Sequence, residues 1–104
     1  MSTYTLRIFR NGKQAVVDAE EPRPVKVAGF SEWQFFSHRA LHGAILGGYG
    51  VTECSTGLAV VLGMHTRGMA IREARIKLKR FGPQKFREMV TEVIASNYKK
   101  IMLS

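Results

Sequence analysis

The chain has 104 residues, 45% of them apolar, with 16 Lys and Arg against eight Asp and Glu for a net charge of +8. That length carries one hydrophobic core and no more, and the composition is that of a globular protein, not a disordered one. Cys54 is the only cysteine, which excludes an intrachain disulfide and the zinc motifs that need several thiolates, and points to a reducing compartment.

From the N-terminus, Thr3 to Ile8 alternates polar Thr3, Thr5 and Arg7 with apolar Tyr4, Leu6 and Ile8, the period of a strand with one buried face. Asn11-Gly12 tolerates the positive φ angles of a tight turn, so Gln14 to Asp18 is expected to return as the paired strand of a hairpin. The stretch from Asp18 to Gly29 holds two prolines and a charge cluster, so it reads as a loop with a brief edge strand at Val25 to Val27.

Residues 31–46 support two readings. Ser31 and Gln34 have capping-box spacing, and Trp33, Phe36, Ala40 and Ala44 share a helical face. Trp33, Phe35 and Phe36 are strand formers, however, and Gly43 weakens a helix, which favours a strand from Trp33 to Leu41 followed by a glycine-rich loop. Tyr49 to Ser55, Thr56-Gly57 and Leu58 to Leu62 then read as a second hairpin. Its return strand is continuously apolar and is expected at the centre of a sheet.

Two helices follow. Thr66 is a predicted N-cap, with Ile71, Ala74, Leu78 and Phe81 as the apolar stripe and Gly82 as the stop. Pro83 opens the second helix, in which Phe86, Met89, Val90, Val93 and Ile94 recur at helical spacing as far as about Asn97. The expected fold is a single α+β domain over residues 1–104: an antiparallel sheet of four or five strands, made of two hairpins, packed against two C-terminal helices.

The charge is unevenly placed. Residues 66–87 hold eight basic side chains and one acid, Glu73. At about 100° per residue, Arg72, Arg75, Lys79 and Arg80 fall on one arc of the first helix, away from its apolar stripe and interrupted by Ile76. Glu73 is expected to pair with Lys77 at i, i+4, leaving that arc uncompensated. Arg67, Arg72, Arg75, Lys79, Arg80, Lys85 and Arg87 are therefore the candidate binding residues. They suit phosphate oxygens, because each neutralised phosphate releases counterions and Arg bonds phosphate bidentately. A solvated outer helix face is the plain alternative, but this density of positive charge exceeds what solubility needs.

Other chemistries have less support. Tyr4, Phe35, Phe36 and Tyr49 are candidate base-stacking platforms only if they leave the core. His38 and His42 share a face only in the helical reading, and a metal site would need them gathered with His65 and Cys54, so no metal and no cofactor are expected. Cys54 with a histidine is the one conceivable nucleophile pair and lacks any flanking signature. The glycines around Gly47-Gly48 carry neither a P-loop lysine nor a dinucleotide fingerprint, and the acids form no catalytic pair, so an enzyme is not expected. The N-terminus lacks the apolar run of a secretory signal, and no apolar stretch approaches the length of a membrane span, which makes the cytoplasm the expected location.

The segment from Tyr49 to Leu78 resembles the hairpin-then-helix unit of HicB-like antitoxins and of small phage or mobile-element accessory proteins. The resemblance is carried by Thr56, Gly57, Thr66, Ala70, Ile71, Glu73 and Ala74. It implies a setting among mobile-element accessory proteins, which include anti-CRISPR inhibitors, and transfers no functional residue. Two functions are thus expected in order: a non-enzymatic binder of nucleic acid or a nucleic-acid-containing complex, and a stoichiometric inhibitor docking on an acidic host protein.

Overall fold

The computed structural model of the chain describes residues 5–10, 13–39 and 48–103, with side chains described for Thr5, 19–39 and 48–95. Its elements run β1 (Thr5–Arg10), β2 (Lys13–Asp18), β3 (Glu20–Val25), β4 (Phe35–Arg39), β5 (Tyr49–Glu53), β6 (Ala59–Met64), α1 (Arg67–Phe81) and α2 (Pro83–Leu103). The fold is α+β: a four-stranded antiparallel sheet, in the order β3-β4-β5-β6, packs against α1 and α2. Among the described residues, no helix is long and apolar enough to cross a membrane.

The first hairpin forms with the expected spacing, pairing Thr5 with Asp18 and Arg10 with Lys13; its turn at Asn11-Gly12 lies outside the described residues. It is a separate two-stranded sheet, however, and not part of the larger one. The edge of the larger sheet is formed instead by β3, which comes from the proline-containing stretch expected to be mostly loop and pairs with β4. Pro22 and Pro24 are tolerated because β3 is an edge strand, and a register shift between Glu20 and Arg23, with Glu21 at φ 49°, absorbs the irregularity.

Residues 35–39 are strand, as the aromatic run favoured, but the strand does not begin at Trp33 as expected: residues 31–33 form a turn in which the Trp33 amide donates to the Phe30 carbonyl at 3.2 Å, and residues 40–46 of the ambiguous stretch lie outside the described residues. The expectation of a central β6 is corrected: β6 is the other edge of the sheet. Its run Ala59-Val60-Val61-Leu62 is not buried on both faces, since only Val60 is buried while Leu62 is half exposed. Burial on both faces belongs instead to β4, whose Phe35, Phe36, Ser37 and His38 are all buried although two of them are polar.

Each polar side chain in that central layer has its partner. Ser37 Oγ donates to the Arg23 carbonyl at 3.5 Å and accepts from Arg67 at 2.7 Å. His38 Nδ1 lies 2.9 Å from the Arg39 carbonyl and Nε2 lies 2.7 Å from Thr52 Oγ1. Because the carbonyl only accepts, Nδ1 carries the proton and Nε2 accepts from the threonine hydroxyl. A Cβ on Gly50 would stand 2.6 Å from the Val61 carbonyl and 3.3 Å from His38 Cε1, so glycine is required where β5 passes the imidazole. Glu53, buried at the end of β5, receives the N–H and hydroxyl groups of both Ser55 and Thr56.

Both helices begin as the sequence indicates. Thr66 Oγ1 accepts from the Met69 amide at 3.1 Å, and Gly82, at φ 88°, closes α1 by donating to the Leu78 carbonyl at 2.9 Å. The buried stripe of α1 is Ala70, Ala74 and Leu78, rotated from the expected one; Ile71 is half buried and Phe81 is 42% exposed at the helix end. Phe86 and Val90 of α2 are buried, with Met89 and Ile94 packed against the same core, and the helix continues past Asn97 to Leu103. Phe30, Trp33 and Phe35 surround Phe86 at ring separations of 4.9 to 5.7 Å. Truncating it, Phe86→Ala, is expected to cost about 3–5 kcal/mol of stability by chemical denaturation.

His38 also sets a pH response. Burial, with a smaller contribution from the Arg67 guanidinium, holds its imidazole below the ordinary value of 6.5 in spite of the bond to the Arg39 carbonyl. The unfolded chain then binds the proton more readily than the folded one, so this contribution to stability is full above that ordinary value and is lost as pH falls below it. Thermal melts from about pH 8 to about pH 5 are expected to show a falling midpoint, and His38→Gln to flatten that slope. An equal slope in the variant would rule out His38 as its source.

Candidate nucleic-acid interface

The seven candidate cations divide into two groups. Arg67 and Arg87 are occupied by the fold. Arg67, the first residue of α1, donates from Nη1 to Ser37 Oγ at 2.7 Å and from Nη2 to the Glu21 carbonyl at 2.9 Å, with its guanidinium 5.2 Å above the Tyr49 ring. It pins the start of α1 across β3 and β4. Arg87 of α2 forms an ion pair with Glu32 and lies over the indole of Trp33 at 5.9 Å.

The second group faces outward. Arg72, Arg75, Lys79 and Arg80 of α1 and Lys85 of α2 are all exposed, and no ion pair joins any of them to a carboxylate among the described residues. The reason lies in how α1 seats itself. With Ala70, Ala74 and Leu78 against the sheet, the 100° increments place Arg72, Arg75 and Lys79 on one side of the outer arc and Arg80 on the other. Ile76 and Met69 lie between them, 41% and 38% exposed.

The expected pairing of Glu73 with Lys77 is not formed; Lys77 Nζ donates to the Val60 carbonyl on the edge strand β6 at 2.9 Å. On an edge strand a carbonyl outside the ladder has no N–H to accept from, and the ammonium group supplies that missing donor. Glu73 and Lys77 both line a cleft of about 650 Å³ between β6 and the two helices, with Ile76, Arg80 and Phe81 at the same cleft.

A larger groove, about 1100 Å³, runs along the opposite flank of α1. Arg75 and Lys79 form its helical wall, and Lys26, Val27 to Gly29, Trp33 and Gln34 are among the residues of the facing wall. Arg75 bridges the two, donating from Nε and Nη2 to the Lys26 carbonyl at 3.3 and 3.0 Å. Lys26 and Trp33 were not among the candidates read from the sequence. The alternation of buried Val25 and Val27 around exposed Lys26 was the signal available for the first; nothing local marked Trp33.

The aromatic residues do not meet the condition for stacking. Phe35 and Phe36 are buried, Tyr49 is half buried beneath Arg39 and Arg67, and Tyr4 lies outside the described residues. Both ring nitrogens of His38 are engaged, His42 lies outside the described residues, and no group of three or more potential metal ligands occurs among the described residues. Burial, reinforced by the neighbouring Glu53 carboxylate, pushes the Cys54 thiol above its ordinary value, the direction opposite to an activated nucleophile. Compared with protein-family models, curated proteins and solved structures, the chain matches none.

Arg67→Ala is expected to destabilise the chain by about 1.5–3 kcal/mol, the range for hydrogen bonds from a charged group, as read by chemical denaturation.

Proposed function

We propose that this chain is a non-enzymatic nucleic-acid binder that engages phosphates through the outward face of α1 and the start of α2. One observation carries the reading: Arg72, Lys79, Arg80 and Lys85 are exposed on two consecutive helices without an acidic partner among the described residues, together with an Arg75 already oriented by a backbone carbonyl. Each cation that meets a phosphate releases condensed counterions, so affinity comes chiefly from charge and falls with salt. Arg67 and Arg87 leave the binding set, because their guanidinium groups hold the fold together; Lys26 enters it.

Anisotropy titrations of labelled oligonucleotides across a salt series test this. Binding is expected at low salt, and the triple variant R72E/K79E/R80E is expected to abolish it while keeping the wild-type melting profile. In single replacements by Ala, the slope of log affinity against log salt is expected to flatten by about 0.7–0.9 for each phosphate that is no longer neutralised. Absence of binding to any oligonucleotide at low salt would overturn the reading.

A second reading rests on Met69 and Ile76, apolar side chains 38% and 41% exposed in the middle of the cationic arc. Phosphates make no use of them. An acidic protein surface with an apolar centre does, as a stoichiometric inhibitor from a mobile element would require, in the manner of anti-CRISPR proteins. The variant M69S/I76S separates the two functions: it leaves oligonucleotide affinity intact under the first and abolishes one-to-one capture of a host protein under the second.

A further inference from the structure

We propose that the groove between α1 and the segment from Pro24 to Phe35 is a track for a single nucleic-acid strand, with phosphates on its cationic rim and bases turned toward Trp33. This rests on the nucleic-acid reading above and adds to it the form of the ligand and the side of α1 that receives it.

Three features of the groove select a single strand. The first is shape. The site is a concavity of about 1100 Å³ flanking the helix, and a duplex keeps its bases paired inside and offers such a concavity only its phosphates. A single strand can turn its bases into it, the arrangement in which a positively charged channel and aromatic walls act together.

The second is the order of charge across the groove. Lys79 and Arg75 stand on the helical wall and Lys26 on the facing wall, so phosphates meet cations on either side of the same channel. Arg75 donates only Nε and one Nη2 hydrogen to the Lys26 carbonyl, leaving the rest of its five N–H groups for a phosphate. Its side chain is already held by that carbonyl, which spares part of the rotamer entropy that an unrestrained arginine loses on binding.

The third is the character of the far wall. Trp33 is half buried, held by Phe86 at 4.9 Å and 83°, by Phe30 at 5.9 Å and by Arg87 above its ring. It is a fixed aromatic surface, not a swinging one, and the base that meets it loses little by ordering the protein. Ser31 and Gln34 beside it are exposed, and their hydroxyl and amide groups are suited to base edges.

Trp33 is the only tryptophan in the chain, so its emission reports on this groove alone. The experiment titrates the full chain with a short single-stranded DNA, a single-stranded RNA and the corresponding DNA duplex, following tryptophan emission and label anisotropy together, and repeats each with K26E/K79E. The expected result is quenching of Trp33 by a single strand, a preference of about tenfold or more over the duplex, and loss of both quenching and most of the affinity in K26E/K79E. Whichever of DNA and RNA binds more tightly decides whether the sugar hydroxyl is read.

Anisotropy changes with unaltered Trp33 emission, undiminished affinity in K26E/K79E or equal binding of the duplex would overturn the groove assignment while leaving the cationic helix as a nucleic-acid surface. Failure of every oligonucleotide to bind would remove both. Since Lys26 and Lys79 are exposed and make no side-chain bond among the described residues, the variant is expected to keep the wild-type melting profile, and W33F, followed by anisotropy alone, checks the groove without any change of charge.

Discussion

Much of the molecule depends on how closely α1 lies on its sheet. Ala70 and Ala74 are fully buried, and side chains of a single methyl let the helix approach Phe35, Val51 and Val60 with no bulk between the layers. A larger residue at either position would lift α1 and break the bonds that depend on its height: Arg67 to Ser37 and Glu21, Arg75 to Lys26, and Lys77 to Val60. The same contact sets the rotation of the helix about its axis, and through it the choice of which cations face the protein and which face outward.

The surplus of basic residues therefore divides into two groups. Arg67, Arg75 and Lys77 reach backbone carbonyls of β3, of the loop after it and of β6, so that α1 is tied by its charged side chains to segments on both sides of it. These carbonyls lie at strand edges and in loops where the ladder offers them no N–H, and a cation is a strong donor for such a group. Arg72, Lys79, Arg80 and Lys85 take no part in this and stay exposed without an acidic partner among the described residues, while Arg75 belongs to both groups, holding the Lys26 carbonyl with part of an exposed guanidinium. A count of basic residues overstates the second group, because it makes no distinction between a guanidinium that anchors and one that is free.

Around the sheet, polar residues are admitted to the interior only where every group is bonded. Ser37, His38, Thr52 and Glu53 lie in the two central strands, and Thr56 in the turn that leaves them, each with a partner within hydrogen-bonding distance. The cost of burying them is offset by those bonds, and their geometry gives the sheet a register that apolar contacts alone would define less sharply. The aromatic cluster of Phe30, Trp33, Phe35 and Phe86 does the corresponding work at the other end of the core, and it is also what makes Trp33 a rigid wall of the groove.

By itself the sequence determined the elements whose signals are local: the two-residue spacing of the first hairpin, the Thr66 cap and Gly82 stop of α1, Pro83 at the start of α2, and the stripe of Phe86 and Val90. It also identified the basic helix, because charge density needs no partner to be read. Tertiary structure decided what depends on neighbours distant in the chain. The proline-containing stretch became a strand because β4 offered it an edge; apolar β6 came to lie at the sheet's rim; and Arg67 and Arg87 were taken up by Ser37 and Glu32, 30 and 55 residues away. Hydropathy and spacing describe a residue's own preference, whereas strand order and the fate of a long cationic side chain are settled by which groups lie within its reach once the layers have packed.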